Sequence, residues 1–177
     1  MTLPLENSYT ISKEPGRIVF RDKNNKESFI VKAEGILFVK YMLFDSAGNQ
    51  LGYIKINPGL VNHPLDFYEA GKESPIAKEV SELTWELKIL NPNGNVIATI
   101  NSLNLKTVKK AGSYLDILDK DGNRIAEITA VFSMNIGSKA AEIFTGNEDH
   151  TVNVLNTEVM PPLLLIEIIA SIVMYMS

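Results

Sequence analysis

The chain of 177 residues contains no cysteine, which excludes disulfides, thiolate metal sites and a cysteine nucleophile. Histidine is nearly as scarce: His63 and His150 are the only two, and most of the chain separates them. Neither has a carboxylate and a nucleophile at a recognisable spacing, so a hydrolytic triad has no support, and two histidines alone make a poor metal site. Glycosylation acceptors are missing as well, because Asn7-Ser8-Tyr9, Asn101-Ser102-Leu103 and Asn156-Thr157-Glu158 all fail the Asn-x-Ser/Thr rule. Positive charge is not in excess. The 17 Lys and Arg against 21 Asp and Glu give a net charge of −4. That balance argues against general nucleic-acid binding, which needs a basic footprint to displace counterions. The start, Met1-Thr2-Leu3-Pro4-Leu5-Glu6, has neither the basic residues nor the apolar core of a signal peptide. A cytoplasmic location, peripheral to a membrane at most, is the expectation.

The remaining composition, 45% hydrophobic and 21% charged, is ordinary for a globular protein, and the length suits one domain over 1–177. Short apolar runs punctuated by turn residues predict strands over about 8–157. Ile18-Val19-Phe20 and Phe29-Ile30-Val31 flank the polar run Asp22-Lys23-Asn24-Asn25-Lys26. Ile36 to Phe44 and Leu51 to Ile56 make a second pair, and Leu65 to Tyr68 a short strand inside a weakly patterned excursion from Pro58 to Pro75. Leu83 to Ile89 alternates, apolar at odd numbers, which gives one buried and one wet face with Trp85 on the buried side. Val96 to Ile100, Tyr114 to Leu118, Ile125 to Ile136, Lys139 to Phe144 and Thr151 to Leu155 complete the series, roughly twelve strands in all.

Three turns repeat one another: Asp45/Gly48/Asn49, Asn91/Gly94/Asn95 and Asp119/Gly122/Asn123, with Asp22 to Lys26 a looser fourth copy. Each sets Gly where a tight hairpin needs positive φ. A small residue, Gly52, Ala98 or Ala126, follows each Gly at four places, as expected where something packs closely against the sheet. Asp119-Lys120-Asp121-Gly122-Asn123 also resembles the opening of a calcium loop. The positions that need Gly and Glu hold Arg124 and Ala130, so the hairpin turn is the better reading.

One long apolar run stands apart. From Leu163 to Met176, twelve of fourteen residues are apolar, interrupted by Glu167 and Ser171. Pro161-Pro162 fits a helix start, and Glu158 would complement the positive end of its dipole. A helix over about 160–176 that is apolar all round belongs in a core or a membrane. Fourteen residues reach about 21 Å, short of a hydrocarbon layer of roughly 30 Å. Glu167 near the middle and the lack of Lys or Arg after Lys139 count against a span. A closed sheet would hide such a helix most completely and also remove the edges of the strands. The fold class expected is therefore all-β with one helix: a closed antiparallel barrel of about twelve strands enclosing a C-terminal hydrophobic helix. Its central post would be Leu163, Leu164, Ile166, Glu167, Ile169, Ser171 and Val173. Glu167 would be hydrogen-bonded to Ser171 or to barrel groups, or else stay wet at the barrel mouth.

This organisation resembles the tubby C-terminal fold, which the phospholipid scramblases and LURP-one-related proteins share. The hairpins at Gly48-Asn49, Gly94-Asn95 and Gly122-Asn123 and the run from Pro161 to Met176 carry the resemblance. It implies a barrel around a helix and, from tubby, recognition of phosphoinositide headgroups by basic residues. The chain lacks the cysteine cluster and proline-rich N-terminal region of scramblases, so lipid scrambling is not carried over, and no headgroup-binding position is matched. The densest basic cluster, Lys106, Lys109 and Lys110, is the candidate anionic-ligand site, with Arg17, Arg21 and Lys23 a weaker group. No cofactor or metal is expected. The leading function is a non-enzymatic binding or scaffold module whose partner is an anionic membrane lipid or another protein. The alternative is a membrane-associated protein anchored by residues 163–176. An enzyme, the third reading, has no residue set behind it.

Overall fold

The computed structural model of the protein describes residues 3–35, 40–58, 64–81, 86–101, 114–131 and 149–175. Its twelve strands are β1 (Ser8–Glu14), β2 (Arg17–Arg21), β3 (Glu27–Glu34), β4 (Lys40–Asp45), β5 (Gln50–Ile56) and β6 (Leu65–Glu69), then β7 (Ala77–Ser81), β8 (Glu86–Leu90), β9 (Val96–Asn101), β10 (Tyr114–Asp119), β11 (Arg124–Val131) and β12 (Asp149–Val154). Each strand pairs antiparallel with its sequence neighbours, and β1 pairs with β12, so the sheet closes on itself. The closed antiparallel barrel read from the sequence is the observed architecture. Closure leaves no free edge to template pairing with another chain.

Alternation decides what faces inward. Tyr9 and Ile11 on β1, Ile18 and Phe20 on β2, Phe29 and Val31 on β3, and Ile117 on β10 point into the core, while their neighbours along the strand face out. Tyr9, Phe20 and Phe29 pack as an edge-on aromatic trio, with ring centres 5.8–6.1 Å apart. The expected Leu83–Ile89 strand is described only as Glu86–Leu90, where Leu87 and Ile89 are indeed buried. Trp85, residues 36–39, His63 and the expected strand from Lys139 to Phe144 lie outside the described residues. The sequence reading had no counterpart for β7, Ala77–Ser81. Its inward positions are Ala77 and Glu79, and a carboxylate on the core face hides the apolar alternation that marks a strand.

The turn repeat has a common geometry. In each copy the acceptor side chain, Asp45, Asn91 or Asp119, takes amide hydrogens from the residues two and four places on at 2.8–3.0 Å. The Gly amide closes back on the same residue's carbonyl, and Gly48, Gly94 and Gly122 sit at φ of 82–85°. The register slips by one at each of these hairpins, as in a type I turn followed by a glycine bulge. The looser copy makes the same bonds from Asp22, with Asn25 at φ 61° in place of Gly. Because strand direction alternates, all four turns lie at one end of the barrel, the turn end. At the opposite end lie the strand ends that border 36–39, 59–63, 82–85, 102–113 and 132–148.

The helix α1, Pro162–Tyr175, enters from the turn end. Pro162 occupies the first helical position and costs no hydrogen bond there. No residue from Leu164 to Val173 is more than 1% exposed, so every face of α1 is covered and the barrel encloses it. The first turn holds no acid; Glu158 lies upstream, exposed, its amide donating to Asn156 Oδ1 at 3.0 Å. The helix approaches the wall at Gly52 on β5. A Cβ built there would run into the Tyr68 carbonyl, and would lie 2.5 Å from Glu167 Oε1 and 3.3 Å from Leu163 Cδ1. Ala98 and Ala126, also fully buried, belong to the same core as α1. The small residues after each turn do mark the inner face, and Gly52 is where the helix and wall touch.

Candidate functional site

The outer face of β3 to β7 carries the described basic surface. The turn at Asp45–Asn49 fixes how β4 and β5 align, and so sets Lys40 opposite Lys55. Lys55 is in turn opposite Asp66 on β6, and Asp66 is opposite Lys78 on β7. One row across five strands thus reads Glu34, Lys40, Lys55, Asp66, Lys78. The next row toward the turn end is Lys32, Met42, Tyr53, Tyr68. Tyr53 and Tyr68 stack with ring centres 4.5 Å apart and planes within 5°. Lys40 Nζ lies 5.0 Å from the Tyr53 ring centre, and Lys32 Nζ 5.5 Å from that of Phe44. Burial, together with the Asp66 charge, raises both tyrosine hydroxyls above their ordinary pKa, so both stay neutral donors. Asn57 Nδ2 donates to Asp66 Oδ2 at 3.1 Å, which holds that carboxylate in the row.

Two lysines directly opposite one another on one face of a sheet destabilise it. The tyrosine ring and the Glu34 and Asp66 carboxylates offset that cost locally, leaving three lysines and two carboxylates in the row on a chain whose total charge is −4. Chemically this is a face suited to phosphate or carboxylate groups, with lysines acting as point charges.

The residues singled out from the sequence fare differently. The denser of the two expected basic groups was Lys106, Lys109 and Lys110. The three lysines lie outside the described residues, although β9 and β10, which flank them in sequence, are described. Arg17 and Arg21 form no basic patch. Arg17 pairs with Glu14 at 2.7 Å and Glu27 at 3.2 Å, and Arg21 with the same two carboxylates at 2.5 and 3.4 Å, making a neutral quartet. Arg21, then Arg17, holds the Glu14 carboxyl below its usual range. Asp119 is a turn residue whose oxygens serve its own hairpin, as expected. His150 is buried on β12, facing the core.

Glu167 follows the first of its two alternatives in being buried, but the bond expected from Ser171 is not made. It is fully buried, not wet, and Ser171 Oγ donates instead to the Ile168 carbonyl at 2.8 Å. Neither Glu167 oxygen has a hydrogen-bond partner among the described residues. Burial therefore pushes its carboxyl well above the ordinary value. The nearby Tyr53 backbone acts the other way, and the Glu69 charge, a smaller influence, adds to the rise.

Sequence reasoning missed Lys40, Lys55 and Lys78. The turn repeat already implied the Lys40–Lys55 alignment, because a five-residue hairpin with its bulge sets the register. Lys78 was not reachable that way, since β7 itself was not recognised.

No family model matches the chain, and no curated protein does either. Among solved structures, an X-ray structure of a protein from Arabidopsis thaliana superposes with a TM-score of 0.62, at 10% identity, over 93% of this chain and 89% of that one. At that identity the likeness is one of fold.

Proposed function

We propose that this barrel is a non-enzymatic binding module of the tubby-like superfamily, alongside the LURP-one-related and scramblase-like proteins, and that it engages acidic lipid headgroups through the outer face of β4 to β7. The closed barrel around α1 and its likeness to the Arabidopsis structure support the superfamily reading. The observation that carries the ligand class is the Lys40–Lys55 pair, with Lys78 beyond Asp66 in the same row, set against the stacked tyrosines. Each lysine near an acidic leaflet contributes about 1 kcal/mol, so three together would shift partitioning by roughly a hundredfold.

Pelleting with vesicles tests it. The protein should sediment with phosphatidylserine-containing vesicles and not with phosphatidylcholine alone. The triple variant Lys40→Ala/Lys55→Ala/Lys78→Ala should lose about two orders of magnitude in partitioning. Equal and negligible sedimentation with both vesicle types would sink the headgroup reading. The anchor alternative is less well supported. The apolar surface of α1 is already covered by the barrel, and among the described residues no helix is long and apolar enough to cross a membrane.

A further inference from the structure

A band of apolar side chains runs over the outside of the barrel and takes no part in its core. Alternation along β2 to β6 turns Val19, Ile30, Met42, Phe44, Tyr53 and Tyr68 outward, between neighbours that point in. Pairing makes the band continuous. Val19 is opposite Ile30, Ile30 opposite Phe44, Met42 opposite Tyr53, and Tyr53 opposite Tyr68. Val19 and Tyr68, at its two ends, are buried, and the four residues between them are half-buried. Single apolar residues on a surface need no explanation, but a connected set on a face that otherwise meets water marks a place of contact.

Lysines roof the middle of this band. Lys32 Nζ lies 5.5 Å from the Phe44 ring centre and Lys40 Nζ 5.0 Å from that of Tyr53, and among the described residues neither lysine is in a salt bridge. A cation over a ring at an exposed site is weakly held, whereas a phosphate or carboxylate oxygen gives it a charge-assisted bond. An anionic headgroup therefore draws the ammonium outward on its flexible stem and leaves the ring uncovered beneath it. The charges beside the band favour an acidic surface. On one flank lie Lys40, Lys55 and Lys78 with the carboxylates of Glu34 and Asp66, and Lys32 adds a cation within it. On the other flank Arg17, Arg21, Glu14 and Glu27 balance one another. An apolar strip bordered by long-stemmed cations has the layering of a bilayer interface, apolar beneath anionic.

We infer that this outer band is an interfacial wedge: when the lysines hold acidic headgroups, Met42 and Phe44 lie below them, among the uppermost acyl carbons of the bilayer. The inference rests on the headgroup reading of the lysine row and adds to it that attachment has an apolar component and a fixed depth.

The full-length, unsubstituted protein with 13C-labelled methionine methyl groups tests the depth. The probe is a lipid nanodisc of phosphatidylserine and phosphatidylcholine in equal parts, doped with a lipid that carries a nitroxide near the top of its acyl chain. The Met42 methyl resonance, assigned with Met42→Leu, should broaden, while that of Met160, buried in the core, should not. Phe44→Gln leaves the charge unchanged and should weaken partitioning to vesicles of the same composition by about fivefold, as expected when half of a ring is withheld from an apolar layer. Sedimentation with those vesicles but no broadening at Met42 would overturn the wedge and leave the headgroup reading standing; no sedimentation at all would overturn both. Undiminished partitioning of Phe44→Gln would likewise count against the wedge alone. A Met42 shift caused by oligoglutamate, or by concentrating the protein without lipid, and unaccompanied by nitroxide broadening would reassign the band to an acidic protein or a second copy of the chain.

Discussion

At the residue scale the decisive group is a carboxyl enclosed in the core. Glu167 sits on a helix whose every face is covered, and its Oε1 fills the space that a side chain at position 52 would take. Burial raises its pKa well above the ordinary carboxyl value, so the folded state holds a proton that the unfolded chain releases near pH 4.5. A raised folded pKa stabilises fully below the unfolded value and progressively less above it. From about pH 5 upward, Glu167 should therefore reduce stability by about 1.4 kcal/mol per pH unit until its folded pKa is passed. Glu167→Gln should remove that slope and be the more stable protein at neutral pH. Urea titrations of both proteins across pH 5–8 check it; parallel pH profiles would refute the buried neutral carboxyl. The sequence showed that Glu167 was anomalous but misplaced its hydrogen bond. Four-residue spacing does put Ser171 on the same stripe, yet a helical serine has its own helix carbonyl within reach, and Ser171 uses that of Ile168.

At the element scale, four five-residue turns do the same work with different residues. Gly122 is at φ 82°, where a Cβ would meet nothing within 4 Å, so replacing it isolates the conformational cost from any clash. Gly122→Ala should destabilise by about 1–2 kcal/mol through the left-handed backbone alone, whereas Asn25→Gly, at the one copy without glycine, should be neutral or mildly stabilising. Thermal denaturation of the two variants distinguishes a conformational cost from lost contacts; equal destabilisation in both would contradict it. The carboxylates of Asp22, Asp45 and Asp119 are held below their ordinary pKa by the hydrogen bonds of their own turns, Asn123 foremost for Asp119 and Lys26 for Asp22. Their stabilisation is present at neutral pH and is lost as the pH falls through those lowered values. These turns were legible because their chemistry is local: one acceptor, one positive φ, one asparagine. The β7 strand was not, because what makes Ala77–Ser81 a strand is pairing with β6 and β8, not its own pattern.

At the scale of the whole molecule, α1 and the barrel wall are one core. Removing residues 160–177 strips Leu164, Leu165, Ile166, Ile168, Ile169, Ile172 and Val173 from contact with inward side chains on the strands. Buried aliphatic side chains are worth roughly 2–5 kcal/mol each, which exceeds the whole stability of an ordinary domain of this size. The truncated chain should lose its cooperative transition and bind hydrophobic dyes; a cooperatively unfolding, monomeric remnant would mean that the wall stands without its post. The barrel was legible from the sequence because one helix apolar on all sides needs a container, and a run of hairpins is the material for one. The lysine row was not, since it exists only once four strands are aligned. The order of the elements also bears on biogenesis. The strand that closes the ring against β1 and the helix that fills it both come after Asp149. As a ribosome delivers the chain, eleven strands emerge with their apolar faces unfilled before either can act. Sequence-distant contacts of this kind fold slowly. The nascent chain should thus depend on holding chaperones until β12 and α1 have left the ribosome, and then fold in a single step.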